Sequence, residues 1–327
     1  SSVTNSWGDC LSLSESRSNG TVTIVTSGAE DNQTVTISLN GTNYTGTVSS
    51  NSTTITIPSS ALSALSDGSS YTVSANVSDV YGNAATQVSS SSFSVDLTVP
   101  TMTISSSTVS SGAVSNDSSI ALTFTASEAT TDFVLGDINV SNGALSNFSP
   151  VSSTVYTAVF TPTSDGATSI DVSGGSFTDA CDNPNTAATQ FTWTFDSTAP
   201  SFDVCPANKS VSFTSNCDFS LTDYTSEATV SDTHSVSLAQ SPASGTTITS
   251  TTTVTITATD AAGNISTCTF DVIPSDTTAP TVVTQAYTLT LDSSGAGTLT
   301  TANVDNGSSD NCDTSLTLSL SKTGFDC

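Results

Sequence analysis

Three times along this chain a five-residue Asp-to-Asn segment, a strand-like run and an Asp-led segment ending in proline follow one another at nearly fixed spacing. They are Asp79-Val80-Tyr81-Gly82-Asn83 with Asp96 and Pro100, Asp179-Ala180-Cys181-Asp182-Asn183 with Asp196 and Pro200, and Asp260-Ala261-Ala262-Gly263-Asn264 with Asp276 and Pro280. From first aspartate to proline the distance is 21, 21 and 20 residues. Regularity of this kind marks a tandem array of one structural unit.

Between these marks the apolar residues alternate: Val35, Ile37, Leu39; Tyr71, Val73, Ala75, Val77; Ile120, Leu122, Phe124, Ala126; Phe191, Trp193, Phe195; Val254, Ile256, Ala258. A period of two puts them on one face of half-buried strands. Turn pairs such as Asn40-Gly41, Asp67-Gly68, Asn142-Gly143 and Asp165-Gly166 break the strands at short intervals, which favours sandwiches over parallel sheets with crossover helices. Only residues 59–65 hint at a helical turn. The prolines follow the last strand of each unit, where a fixed φ and a missing N–H keep that strand from running on. The spacing predicts an all-β chain of tandem β-sandwich domains in an elongated array: 1–97, 98–197, 198–277, and an incomplete repeat over 278–327.

Charge excludes whole classes of partner. Three Lys+Arg (Arg17, Lys209, Lys322) stand against 29 Asp+Glu, a formal net charge of -26. Nucleic acid and anionic membrane surfaces need clustered basic residues, so neither is expected as a partner. Cations are the natural counterpart. With 35% hydrophobic and 10% charged residues the chain has enough apolar material to fold. Seven cysteines without a Cys-x-x-Cys pair, and one histidine, fit disulfides in an oxidising compartment better than a zinc site. No run of 18 apolar residues suggests membrane insertion. The first residues lack the pattern of a signal peptide, and the chain reads as an internal piece of a longer secreted protein.

The segments SWGDCLSLSESRSNGTVTIVTSG and YTVSANVSDVYGNAATQ in the first unit, and TASEATTDFVLGDINVSNG in the second, resemble bacterial Ig-like repeats. The third resembles a hyalin-repeat-type (HYR) unit through Cys205-Pro206, the run from Thr253 to Asp260, Gly263-Asn264 and Cys268-Thr269-Phe270. It departs from that pattern where Asp232-Thr233-His234 replaces Asp-Asn-Cys; the fourth segment keeps Asp310-Asn311-Cys312. The resemblance implies giant surface adhesins or filament proteins of Bacteroidetes-like bacteria, of gliding-adhesin or grappling-hook type, often exported by the type IX route. Such proteins meet an extracellular surface or other cells through parts outside this fragment. Assembly into a homo-oligomeric filament is a further expectation.

In an Ig-like sandwich the first strand begins at the end that carries the loop before the last strand. Each Asp-to-Asn loop is therefore expected to face the linker entering its own domain: Asp179, Asp182 and Asn183 toward Asp96, Asp260 and Asn264 toward Asp196, and Asp79 and Asn83 toward Asp9. Such oxygen clusters suit Ca²⁺, which takes about six to eight hard ligands. The competing reading is that these side chains only cap tight turns. Asp305, Asp310, Asn311 and Asp313 form a further acidic group without EF-hand spacing.

Among the cysteines, Cys205 in a first strand and Cys268 in a last strand are expected to pair, because those strands run parallel at one end of a sandwich. Cys312 and Cys327, in one repeat, are the second expected bridge. Cys217 is expected alone, and Cys10 and Cys181, which have no obvious partner, as buried thiols, with intermolecular bridges the less favoured alternative. No catalytic set emerges. His234 is the single imidazole, and Ser319 with Lys322 matches a Ser-x-x-Lys pattern only as chance allows in a Ser-rich strand. The expected role is a structural and adhesive stalk, not an enzyme. The rivals are a carbohydrate-binding module, which needs exposed aromatics on one face, and a spacer in a secreted hydrolase.

Overall fold

The computed structural model describes residues 1–327. It is almost entirely strand and turn, and it divides into two compact units, Ser1–Ser197 and Thr198–Cys327.

Ser1–Ser197 holds two Ig-like sandwiches with separate apolar cores. In the first, Ser2–Asn5 pairs antiparallel with Gly20–Val25, which pairs with Ser52–Ile57. The chain then crosses over at residues 6–9, and Cys10–Ser12 lies parallel to the last strand, Phe93–Asp96. The opposing sheet runs Thr42–Thr47, Thr34–Leu39, Ser74–Val77, Val88–Ser89. Trp7 fills the crossover, edge-on to Phe93 with ring centroids 5.3 Å apart. Gly20 is required beneath it, because a Cβ there would stand 2.5 Å from the Trp7 ring.

Besides the turn at Ser59–Leu62, a four-residue helix forms at Leu13–Ser16. The Ser12 side chain accepts from the Glu15 N–H, and the Glu15 carboxylate accepts from the Ser12 N–H. This reciprocal cap holds a helix too short to propagate by itself.

The second sandwich stacks two four-stranded sheets. One runs Met102–Ser106, Ile120–Ala126, Val155–Pro162, Gly143–Pro150; the other runs Val114–Ser115, Phe191–Phe195, Gly166–Val172, Ile138–Ser141. The alternating residues Ile120, Leu122, Phe124, Ala126, Phe191, Trp193 and Phe195 are all buried. Phe160 meets Trp193 edge-on at 4.9 Å. Both tryptophans are thus core residues.

In Thr198–Cys327 the main sheet runs Lys209–Ser212, Ile265–Ser275, Thr252–Thr259, Ser237–Ser241, over a smaller core of Leu221, Tyr224, Val254, Ile256, Phe270 and their neighbours. Residues 278–327 add only a ribbon of Ala296–Thr298 with Gly324–Asp326 and the short helix Thr301–Val304. They contribute no buried hydrophobic residue.

The disulfides differ from expectation in two of three cases. Cys205 joins Cys268, but Cys312 joins Cys217, and Cys327 is a free, exposed thiol. The reason is local. The Gly324–Asp326 strand carries Cys327 to Gly295, whose carbonyl accepts its N–H, whereas the turn capped by Asp310 carries Cys312 to Cys217. Cys10 and Cys181, expected as separate thiols, are bonded to each other, with Cα atoms 5.6 Å apart.

Candidate metal centre

Each Asp-to-Asn loop is built by the same hydrogen bonds. In residues 79–83, Asp79 Oδ1 accepts from the N–H groups of Tyr81 (2.9 Å) and Asn83 (2.8 Å), and its Oδ2 accepts from Asn83 Nδ2. In residues 179–183, Asp179 accepts from Cys181 N (2.7 Å), Asn183 N (3.0 Å) and Asn183 Nδ2 (3.0 Å). In residues 260–264, Asp260 accepts from Asn264 N and Nδ2. Capping by aspartate is therefore part of all three loops, as side-chain to backbone bonding predicts.

The fourth loop position is left-handed in each: φ is +86° at Gly82, +62° at Asp182 and +93° at Gly263. A side chain is disfavoured in that region. Asp182→Gly is therefore expected to stabilise the metal-free protein by about 0.5–1 kcal/mol, read as a higher urea midpoint in EDTA.

What sets residues 179–183 apart is their contact with the first sandwich. Asn183 is fully buried; its Oδ1 accepts from the Leu13 N–H (2.7 Å), and its Nδ2 donates to the Asp96 carbonyl (3.0 Å). Cys181 beside it is bonded to Cys10. Three carboxylates meet here: Asp96 from the end of the first sandwich's last strand, Asp179 from the loop and Glu128 from the turn after Ile120–Ala126, with one oxygen of each within 4.8 Å of the others. Glu128 Oε1 is shut off from solvent and has no hydrogen-bond partner. Burial, aided by the neighbouring Asp96, Asp179 and Asp67, pushes the Glu128 carboxyl above its ordinary value; burial, with Asp179 and Asp67, does the same to Asp96. An orphaned carboxylate oxygen among three acids is the donor set that a hard cation satisfies.

Asp179 and Asn183 thus stand with Asp96, as the spacing predicts, while Asp182 is exposed at the edge of a groove shared with Asp9 and Glu15. Asp9 does not face Asp79 and Asn83. By residue 9 the chain has run the length of its first strand and crossed sheets, so Asp9 sits beside Cys10 at the other end, where its carbonyl accepts from Ser94. Asp79 and Asn83 instead lie near Ser1 and Glu30. Asp260 and Asn264 belong to Thr198–Cys327, where Asn264 Nδ2 donates to the Thr198 carbonyl (3.2 Å); Asp196 is buried in Ser1–Ser197. A second acidic group, Asp276, Asp310 and Asp313, gathers in Thr198–Cys327, while Asp305 caps Ser308. Glu128 was not among the expected ligands; its place after a strand that runs toward the linker was the available signal.

Two further aspartates act as caps. Hydrogen bonds from the Leu97 N–H and the Thr98 hydroxyl hold the Asp67 carboxyl below its ordinary value; for Asp132, burial works the other way but is outweighed by Thr130 and Thr178. Both fold with a depressed pKa, so their stabilisation is complete above the ordinary aspartate value of 3.8 and is lost as pH falls through the lower folded values. Acid titration of the unfolding midpoint is expected to show its steep loss below that value, and Asp132→Asn to flatten it.

Residues 96–195 match the family model of a bacterial Ig-like domain. No curated protein matches the chain in sequence. Among solved structures, similarity is found to a Ca²⁺-stabilized adhesin with which an Antarctic bacterium binds ice (17% identity, 83% of this chain and 73% of that one, TM-score 0.39). It is also found to a 1.5-MDa bacterial ice-binding adhesin (19%, 82% and 94%, 0.41) and to invasin, a bacterial integrin-binding protein (14%, 86% and 61%, 0.29). The matched stretch 96–195 spans the second sandwich, which supplies Glu128, Asp179 and Asn183 to the junction, while Asp96 ends the last strand of the first.

Proposed function

We propose that this chain is a stretch of the stalk of an exported bacterial surface adhesin, in which serial Ig-like sandwiches hold an adhesive part away from the cell and a divalent cation, Ca²⁺ by its donor set, stiffens the junction. The observation that carries the reading is the junction itself. Two sandwiches with independent cores are joined by a disulfide, by both ends of the Asn183 amide and by three converging carboxylates, one with an unpartnered buried oxygen. Asp96, Glu128 and Asp179 would hold the cation, whose charge offsets their mutual repulsion. Residues 198–277 are read as a hyalin-repeat-type unit and 278–327 as an incomplete repeat. The partner is an external surface or cell, met through other parts of the parent protein.

Thermal unfolding and small-angle scattering in millimolar Ca²⁺ and in EDTA test this. At a hundredfold excess over Kd a ligand specific to the folded state adds about 2.7 kcal/mol, so the midpoint is expected to rise by about 5 °C or more with calcium and the maximum dimension to shrink in EDTA. Equal curves in both buffers, or an unchanged calcium response in Glu128→Gln, reject the metal centre.

A further inference from the structure

The two disulfides of longest reach decide where tension runs when the chain is pulled from its ends. Cys10–Cys181 spans 171 positions and Cys217–Cys312 spans 95. A covalent cross-link is the shorter route between the parts of the chain it joins, and backbone inside the closed loop cannot be drawn out while the link is intact. We infer that these bridges are tension shunts, which carry a pulling force past residues 11–180 and 218–311 so that most of both cores of Ser1–Ser197, all but Val3, Trp7, Phe191 and Trp193, and the Thr252–Thr259 strand of Thr198–Cys327 lie off the force path.

Only residues 1–10, 181–217 and 312–327 stay on the path, about a fifth of the chain. In Ser1–Ser197 that leaves two strands bearing force, Ser2–Asn5 at the edge of its sheet and Phe191–Phe195. Everything between the bridged cysteines can unfold and refold without changing the end-to-end length by more than the exposed segments allow. Cys205–Cys268 overlaps the second loop and acts as a reserve. While Cys217–Cys312 is intact it carries nothing; once that bond opens, the path passes through Cys205 and Cys268 and still hides residues 206–267. The inference follows from cysteine connectivity and holds whether or not the junction carboxylates take calcium.

Single-molecule pulling of the full chain by tags at its two ends, first in oxidising buffer and then with dithiothreitol, reads this directly. At about 3.6 Å per extended residue the oxidised chain is expected to stop near 230 Å and the fully reduced chain near 1,180 Å. Reduction of Cys10–Cys181 alone should release about 610 Å in one step. In the second unit, opening Cys217–Cys312 first should give about 115 Å and then Cys205–Cys268 about 220 Å, whereas the reverse order should give no step followed by about 340 Å. The double variant Cys10→Ser, Cys181→Ser should yield the 610 Å without reductant. The step sizes in the unmutated chain decide the matter even if that variant folds poorly. An oxidised chain that extends far beyond 230 Å, or reduction steps of other lengths, overturns the inference.

Discussion

Asn183→Ala is expected to lower stability by about 3–5 kcal/mol, whereas Asn83→Ala, at the same place in the preceding loop, is expected to cost about 1 kcal/mol or less. The local chemistry of the two residues is alike, since each donates its amide to the aspartate four positions earlier. The surroundings differ. Asn83 is exposed, and water can replace what its side chain gives. Asn183 is fully buried, and its removal strands the Leu13 N–H, the Asp96 carbonyl and one oxygen of Asp179. Each buried group left without a partner costs about 1–3 kcal/mol. Guanidinium denaturation of both variants checks the contrast. Equal losses would mean that the amide matters only for the turn, and the junction would then rest on the disulfide.

The double variant Cys10→Ser, Cys181→Ser is expected to lose about 2–4 kcal/mol, less than the roughly 5 kcal/mol that closing so long a loop gives in the chain-entropy limit. The form of the loss is as informative as its size. Each sandwich of Ser1–Ser197 has its own core, so without the bridge the two are expected to melt in separate transitions, one of them following substitutions in the first core, such as at Ile37, and the other following substitutions at Phe124. Calorimetry of the variant beside the parent resolves this. A single cooperative transition in both would show that hydrogen bonds and packing at the junction suffice to couple them.

Much of this architecture is legible in the residues alone, because period two and a fixed Asp-to-Pro spacing are backbone properties that survive in every sandwich of the array. The runs Val35, Ile37, Leu39 and Ile120, Leu122, Phe124, Ala126 are core strands for the reason their alternation gives. Long-range pairings are a different matter. Cys10 and Cys181 sit in different sandwiches, and no periodicity within one repeat relates them; only the docking of one loop on the preceding module brings them together. Cys217 and Cys312 were obscure for a similar reason, since pairing within each repeat was the simpler rule and residues 278–327 fold back on the segment before them. Asp9 was misplaced because an Ig-like first strand here changes sheets at residues 6–9, which a uniform strand pattern hides. Glu128 was hidden in plain view: a single acid after a strand carries no spacing signal, and its importance lies in the oxygen it leaves unpartnered.

The third position of the Asp-to-Asn loop is occupied by Tyr81, Cys181 and Ala262 in turn, while the capping aspartate and asparagine around it stay in place. That position is a socket in a fitting whose first and fifth residues are constant. Fitted with cysteine, as at residue 181, it makes the joint a weld that only a reductant undoes; fitted with an aromatic or a methyl group, as at residues 81 and 262, it offers no covalent link. An array assembled from such fittings can be made stiff at one joint and yielding at the next by exchanging one residue per loop and its mate, with no change to the sandwiches on either side.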